Sequence, residues 1–134
     1  MKIVLDTNVI LVSVSRKSPF HWVFQNLIDK NYSLCFTTDI LLEYEEVIAR
    51  HMDKEFAAEI IDLLLEIDNH IKIDKYFQWN LLQDQDDDKF VDCAIASNAD
   101  YLVTEDSDFR VLLNIPFPKV SIIGIEKFKS LLQK

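Results

Sequence analysis

The chain is poor in the residues that mark flexible linkers. It has one glycine and three prolines among its 134 residues, and no low-complexity tract separates one part from another. Because this length suits a single hydrophobic core, we predict one domain over residues 1–134. The scarcity of glycine also excludes a glycine-rich phosphate-binding loop of the ordinary nucleotide-binding kind.

Cysteine is scarce as well, and long apolar runs are missing. Cys35 and Cys93 lie in apolar surroundings, which favours buried free thiols in a reducing compartment over a disulfide framework. No apolar run approaches the about 18 residues that a membrane span needs. The first residues turn acidic at once, which is not typical of a signal peptide. We therefore expect a cytoplasmic protein that does not associate with membranes.

Positive charge is in short supply. The chain has 14 Lys and Arg against 23 Asp and Glu, a formal net charge of −9. This balance argues against a nucleic-acid binder that works through a broad basic face. It does not exclude an enzyme that meets phosphate through metal ions, because the acids would then hold the metal. Solubility is the plainer explanation of the acidic excess.

Short apolar segments alternate with segments of helical periodicity. Strands are predicted at 2–5, 33–36, 71–73, 101–104 and 120–123. Helices are predicted at 20–29, 37–50, 54–69, 87–97, 106–113 and 125–132, with a turn at 6–8 and a loop at 76–86. The strands are continuously apolar, as a parallel sheet covered on both faces requires, so we predict an α/β fold.

Acidic residues recur where the predicted strands end. Asp6 ends the first strand, Glu43 lies about one turn into the helix after the second, and Asp106 and Asp108 follow the fourth. The helix before the fourth strand opens with a dense acidic group, Asp84, Asp86, Asp87, Asp88 and Asp92. Sites in open parallel sheets form beyond the carboxyl ends of the strands, so these acids are expected to meet.

Carboxylates packed together repel one another unless a cation lies between them. Mg²⁺ or Mn²⁺ would relieve the repulsion, because hard cations prefer carboxylate oxygens, and two such ions about 4 Å apart can align and activate a phosphate. Each acid alone also has a simpler explanation, as a helix cap, a solvated helix face or a partner of a helix N-terminus. The joint pattern therefore carries the hypothesis.

Four segments carry these acids in a fixed order: IVLDTNV at 3–9, ILLEYEEV at 40–47, DQDDDKFVDCAIA at 84–96 and ADYLVTEDSDF at 99–109. Together they resemble the motifs of the PIN-domain nucleases, and among them the VapC-like toxin components of bacterial toxin–antitoxin pairs. The resemblance covers almost the whole chain. It implies a three-layer α/β/α sandwich with a central parallel sheet of about four to five strands, and Mg²⁺- or Mn²⁺-dependent hydrolysis of RNA.

The resemblance also implies roles for particular residues. Asp6, Glu43, Asp92 and Asp106 are the expected catalytic acids, and the expected metal ligands are Asp6, Glu43, Asp87, Asp88, Asp92, Asp106 and Asp108. For the third acid, the subgroup pattern favours Asp87 with Asp88 beside it, whereas the general family pattern favours Asp92. Asn8 and Thr104 are expected to hold the acids by hydrogen bonds. No Lys or His stands out as a general base.

Three further expectations concern partners and alternatives. The resemblance implies an RNA substrate, a small antitoxin protein and a homodimer. One alternative is a catalytically weak PIN-like scaffold that binds a protein partner. Another is an α/β phosphatase, but the Asp-x-Asp-x-Thr motif of one large phosphatase class is absent because Asn8 stands two residues after Asp6.

Overall fold

A parallel sheet forms the middle of the molecule. This computed structural model describes residues 1–74 and 77–133. Its strands are β1 Lys2–Leu5, β2 Ser33–Phe36, β3 His70–Lys72, β4 Tyr101–Val103 and β5 Ile122–Ile123. They lie in the order β3-β2-β1-β4-β5, and every neighbouring pair is parallel. The predicted sheet is confirmed.

Helices connect the strands. They are α1 Thr7–Ser13, α2 His21–Ile28, α3 Thr38–His51, α4 Lys54–Glu66, α5 Gln85–Ser97, a 3₁₀ helix Ser107–Asn114, and α6 Ile125–Leu132. The predicted α/β class is thereby confirmed. In the described parts of the chain, no helix has the length and apolar character needed to cross a membrane.

The chain starts in the centre of the sheet and fills it in both directions. From β1 it moves to β2 and β3 at one edge, and α5 then returns it across the sheet to β4. Because crossovers between parallel strands are right-handed, this reversal places α5 on the face opposite the helices that connect β1, β2 and β3. The strand order reverses between β1 and β4, which is where open α/β sheets bind ligands.

The central strands are apolar throughout because helices cover both faces of the sheet. Residues 3–5 of β1 and 34–36 of β2 are fully buried. Cys35 and Cys93 are both buried, as the sequence predicted. The core therefore holds the strand ends of β1 and β4 in a fixed register, Leu5 opposite Val103.

The helix α1 is the main difference from the predicted elements. Residues 6–8 were expected to form a turn, whereas α1 begins at Thr7, directly after its N-cap Asp6. Its seven residues include several β-branched side chains of low helix propensity, so burial of Val9 and Ile10 in the core stabilises it.

A smaller difference concerns the boundary of the last predicted strand. The last strand is shorter than predicted, since β5 covers only Ile122–Ile123. The first residue of the predicted loop 76–86, Tyr76, lies outside the described residues.

Candidate active site: a cluster of carboxylates

Asp6 stands at the carboxyl end of β1, in the middle of the sheet. Its side chain is 6% exposed, and its Oδ2 accepts a 2.7 Å hydrogen bond from the Thr104 hydroxyl. Burial raises the pKa of Asp6, and the charges of Asp106 and Glu43 raise it further. The Thr104 hydroxyl and the nearby backbone amide of Asn8 oppose the rise.

Thr104 joins the end of β1 to the segment that follows β4. Its hydroxyl donates to Asp6 and accepts from the backbone N–H of Asp106 at 3.0 Å. Asp106 in turn caps the 3₁₀ helix, where its Oδ1 accepts from the N–H of Asp108 at 2.9 Å. The resemblance gave a holding role to Asn8 and Thr104: Thr104 contributes its hydroxyl, whereas Asn8 contributes a backbone amide.

Three carboxylates from two elements converge beside Asp6. Oxygen atoms of Asp87 on α5 and of Asp106 and Asp108 at the 3₁₀ helix all lie within 4.8 Å of one another. Partial burial raises the pKa of Asp87 to about 7, and the negative charges of Asp84, Asp6, Asp106 and Asp108 contribute to the rise. Asp6 and Asp87 therefore belong to the same electrostatic cluster.

Glu43 reaches this region from α3. The neighbouring Tyr44 is fully buried, and its hydroxyl donates to the Leu5 carbonyl at 2.5 Å, which ties α3 to the end of β1. The Glu43 carboxylate accepts from the Thr7 hydroxyl and forms a 2.7 Å ion pair with Lys89 of α5. Both members of the pair are mostly buried, with side chains 25% and 16% exposed.

Lys89 was not among the residues that the sequence analysis selected. The signal was a single cation directly after three consecutive acids at the start of α5. Its ammonium group neutralises one carboxylate of a crowded acidic region, and it joins α5 to α3. In the structure it is a positioning residue for Glu43.

Asp88 and Asp92 meet different partners. Asp88 Oδ1 accepts from the Leu82 N–H at 2.9 Å, and Asp92 Oδ1 accepts from the Trp79 N–H at 3.1 Å. Both side chains are buried, at 5% and 3% exposed. On an α-helix Asp92 lies about 140° around from Asp87. The two acids therefore anchor the backbone of the loop 77–84 through these hydrogen bonds. Their role as metal ligands stays a prediction.

The carboxylate site is defined here as Asp6, Glu43, Asp87, Asp106 and Asp108. It offers oxygen atoms only, from the end of β1, from α3, and from the first turns of α5 and the 3₁₀ helix, at the reversal of the strand order. This donor set suits a hard divalent cation, which would also relieve the repulsion that adds to the effect of burial in raising the pKa of Asp87.

The fold and the site together define an α/β protein with an acidic, oxygen-rich centre at the topological switch point of a parallel sheet. Residues 2–108 match the family model of the PIN domain. The chain therefore belongs to the PIN domain family, the nuclease family that its four motifs resemble.

Comparison with known structures gives the same fold. A chain in the crystal structure of VapBC2 from Rickettsia felis, bound to a DNA fragment from their promoter, matches with a TM-score of 0.63 and 20% identity. The match covers 92% of this chain and 98% of that chain. Comparison with curated protein sequences gives no significant match.

Proposed function

We propose that this protein is a metal-dependent endoribonuclease that hydrolyses RNA phosphodiester bonds at the carboxylate site. The observation that carries the proposal is the convergence of Asp87, Asp106 and Asp108 oxygens within 4.8 Å, beside the buried Asp6. Such a cluster is unfavourable without a counter-cation, and a bound divalent cation would remove the repulsion. Membership of the PIN domain family supports nuclease chemistry in particular.

Mg²⁺ or Mn²⁺ is the proposed cofactor, with Asp6, Asp87, Asp106 and Asp108 as ligands and Glu43 nearby. Once bound, a divalent cation supplies Lewis acidity toward the phosphate and lowers the pKa of an attacking water. The protein contributes fixed positions: Thr104 and Asn8 orient the Asp6 carboxylate. The proposal assigns Asp88 and Asp92, which the resemblance also implied as ligands, to holding the loop 77–84.

A cavity of about 390 Å³ lies at the carboxylate site and is lined by Asp87, Asp108 and the loop residues Leu81 to Asp84. A strand could therefore pass between the loop and the 3₁₀ helix while a phosphate meets the carboxylate site. Lys89 is engaged with Glu43, so the proposal assigns it no proton-transfer role.

We also propose that the protein is the toxin component of a toxin–antitoxin pair in the cytoplasm. The motif resemblance supports this assignment, and so does the fold shared with a chain of the VapBC2 structure, an assembly bound to promoter DNA. The expected partners are a small antitoxin protein and a second copy of this chain.

The central experiment measures cleavage of single-stranded RNA by the purified protein. We expect no cleavage in EDTA, full recovery with Mn²⁺ or Mg²⁺, and loss of at least about a hundredfold in Asp6→Asn. Asp62→Asn is the matched control, since Asp62 is exposed on α4, and it should cleave like the parent. Cleavage in chelator at the full rate, or an Asp6→Asn variant as fast as the parent, would contradict the proposal.

A further inference from the structure

Three aromatic rings lie together at the surface, and two of them belong to the loop 77–84. Phe77 and Trp79 have ring centroids 4.7 Å apart, and Trp79 and Phe117 have centroids 6.2 Å apart at an edge-to-face angle of 86°. Phe77 is 62% exposed and Phe117 is 80% exposed. We call these residues the aromatic patch. Exposed large apolar side chains that cluster in this way usually mark a binding surface.

Hydrogen bonds fix the backbone of the loop that carries part of the patch. The backbone N–H of Trp79 donates to the buried carboxylate of Asp92, and Leu82 further along donates to the buried Asp88. Charge-assisted hydrogen bonds of this kind are strong and fix the backbone of the loop. Two acids of the densest acidic motif therefore position the aromatic rings.

The loop that carries Phe77 and Trp79 also lines a cavity beside the carboxylate site. Leu81 to Asp84 of this loop share the cavity with Asp87 and Asp108. Val111 of the 3₁₀ helix lines it too, and Phe117 follows this helix in the chain. A strand of nucleic acid that follows the loop from the patch would therefore meet this cavity.

The charge of the protein decides which contacts can hold such a strand. With a net charge of −9, attraction of the phosphate backbone is weak outside a bound cation. Stacking of bases on aromatic rings does not need positive charge and tolerates any base sequence. The three rings of the patch offer the flat faces on which unpaired bases stack.

We propose that Phe77, Trp79 and Phe117 form a stacking surface for the bases of single-stranded RNA and position the strand at the carboxylate site. The inference rests on the proposed ribonuclease function and deepens it. It identifies the substrate as unpaired RNA, because bases inside a duplex are not available for stacking on side chains.

The test measures binding and cleavage of an RNA of about 12 nucleotides with random sequence. Binding is followed by fluorescence anisotropy in Mg²⁺ with the Asp6→Asn background, which prevents turnover. We expect Phe117→Ala and Phe117→Leu each to weaken binding about fivefold or more, and Phe117→Tyr to bind like the parent. Leu65→Ala, a 42% exposed position on α4, is the control and should change nothing. With Asp6 intact, Phe117→Leu should raise KM while kcat holds.

A second readout detects the contact itself. The chain has two tryptophans, so Trp22→Phe leaves Trp79 as the one source of tryptophan fluorescence. We expect single-stranded RNA to quench this emission saturably, with a midpoint equal to the binding constant, and duplex RNA of the same length to quench it much less.

Each contrary outcome has a distinct meaning. If the parent cleaves single-stranded RNA but Phe117→Leu and Phe77→Ala bind and cleave as well, the stacking inference is wrong and the ribonuclease proposal stands. If Phe117→Ala abolishes self-association in sedimentation while RNA binding holds, the patch is a protein interface and the inference is also wrong. If the parent neither binds nor cleaves RNA, both proposals fail together.

Discussion

Asp87 and Asp88 are adjacent on α5, yet their carboxylates contact different kinds of group. Asp87 faces Asp84, Asp106 and Asp108, whose charges help to raise its pKa to about 7. Asp88 is more deeply buried but accepts a hydrogen bond from the Leu82 backbone. Like charges around one acid and an amide donor beside the other therefore give the two neighbours different electrostatic environments.

Packing of α5 against the sheet explains which acid faces which way. Phe90, Val91 and Ala94 are buried and lie on nearly one side of the helix. One turn earlier, the same side carries Asp87, at the carboxyl ends of β1 and β4. Asp88 and Asp92 lie about 100° and 140° around from it, where the loop 77–84 covers them.

The largest expected contrast is in catalysis. Asp87→Asn should lower the cleavage rate at least about a hundredfold, because it removes an anionic ligand. Asp88→Asn should stay within about threefold, since an amide oxygen can still accept from Leu82. Single-turnover rates in saturating Mn²⁺ check both variants. Equal losses of cleavage rate in the two variants would contradict the contrast between Asp87 and Asp88 and would place Asp88 in the metal centre.

Stability should separate two substitutions at Asp88. Asp88→Ala leaves the Leu82 N–H without its partner and should cost about 1–3 kcal/mol of unfolding free energy. Asp88→Asn should cost much less, because it keeps an acceptor and because Asp88 Oδ2 has no hydrogen-bond partner among the described residues. Urea unfolding in EDTA measures both. If the alanine and asparagine variants are equally stable, Asp88 does not anchor the loop.

The smallest expected effect is the pH dependence of Asp87. Its pKa is raised from the ordinary 3.8 to about 7, so the folded state binds the proton more tightly than the unfolded state. Stability of the metal-free protein should therefore fall as the pH rises through this range. Asp87→Asn removes that loss, so its gain in melting temperature should be larger near pH 8 than near pH 5.

Asp86→Asn is the control for the pH experiment, because Asp86 is exposed in the same helical turn. Its effect should be nearly the same at the two pH values. A gain for Asp87→Asn that is larger at the lower pH would show that the neighbouring charges do not act on Asp87 as described.

Much of the fold could be predicted from the sequence because the apolar periodicity follows the burial directly. The continuously apolar strands at 2–5 and 33–36 are covered on both faces, as predicted. The helix α1 could not be predicted in the same way, because its β-branched residues disfavour a short helix and only the burial of Val9 and Ile10 stabilises it. Tertiary packing therefore determines the helical conformation of α1.

The site was predictable in part for the same reason. Acids at the strand ends, Asp6 and Asp106, follow from the topology of a parallel sheet. The directions in which Asp87, Asp88 and Asp92 point depend on the rotation of α5 about its axis. The buried Phe90 and Val91 set this rotation, and the sequence analysis did not use their positions. The ion pair of Lys89 with Glu43 required the approach of two helices from different parts of the chain.

The most direct test is a crystal structure of the protein soaked in Mn²⁺, with the ion located by its anomalous scattering. We predict a peak coordinated by Asp6, Asp87, Asp106 and Asp108, while Asp88 and Asp92 keep their bonds to Leu82 and Trp79. A peak held between Asp88 and Asp92, with the carboxylate site empty, would contradict this account.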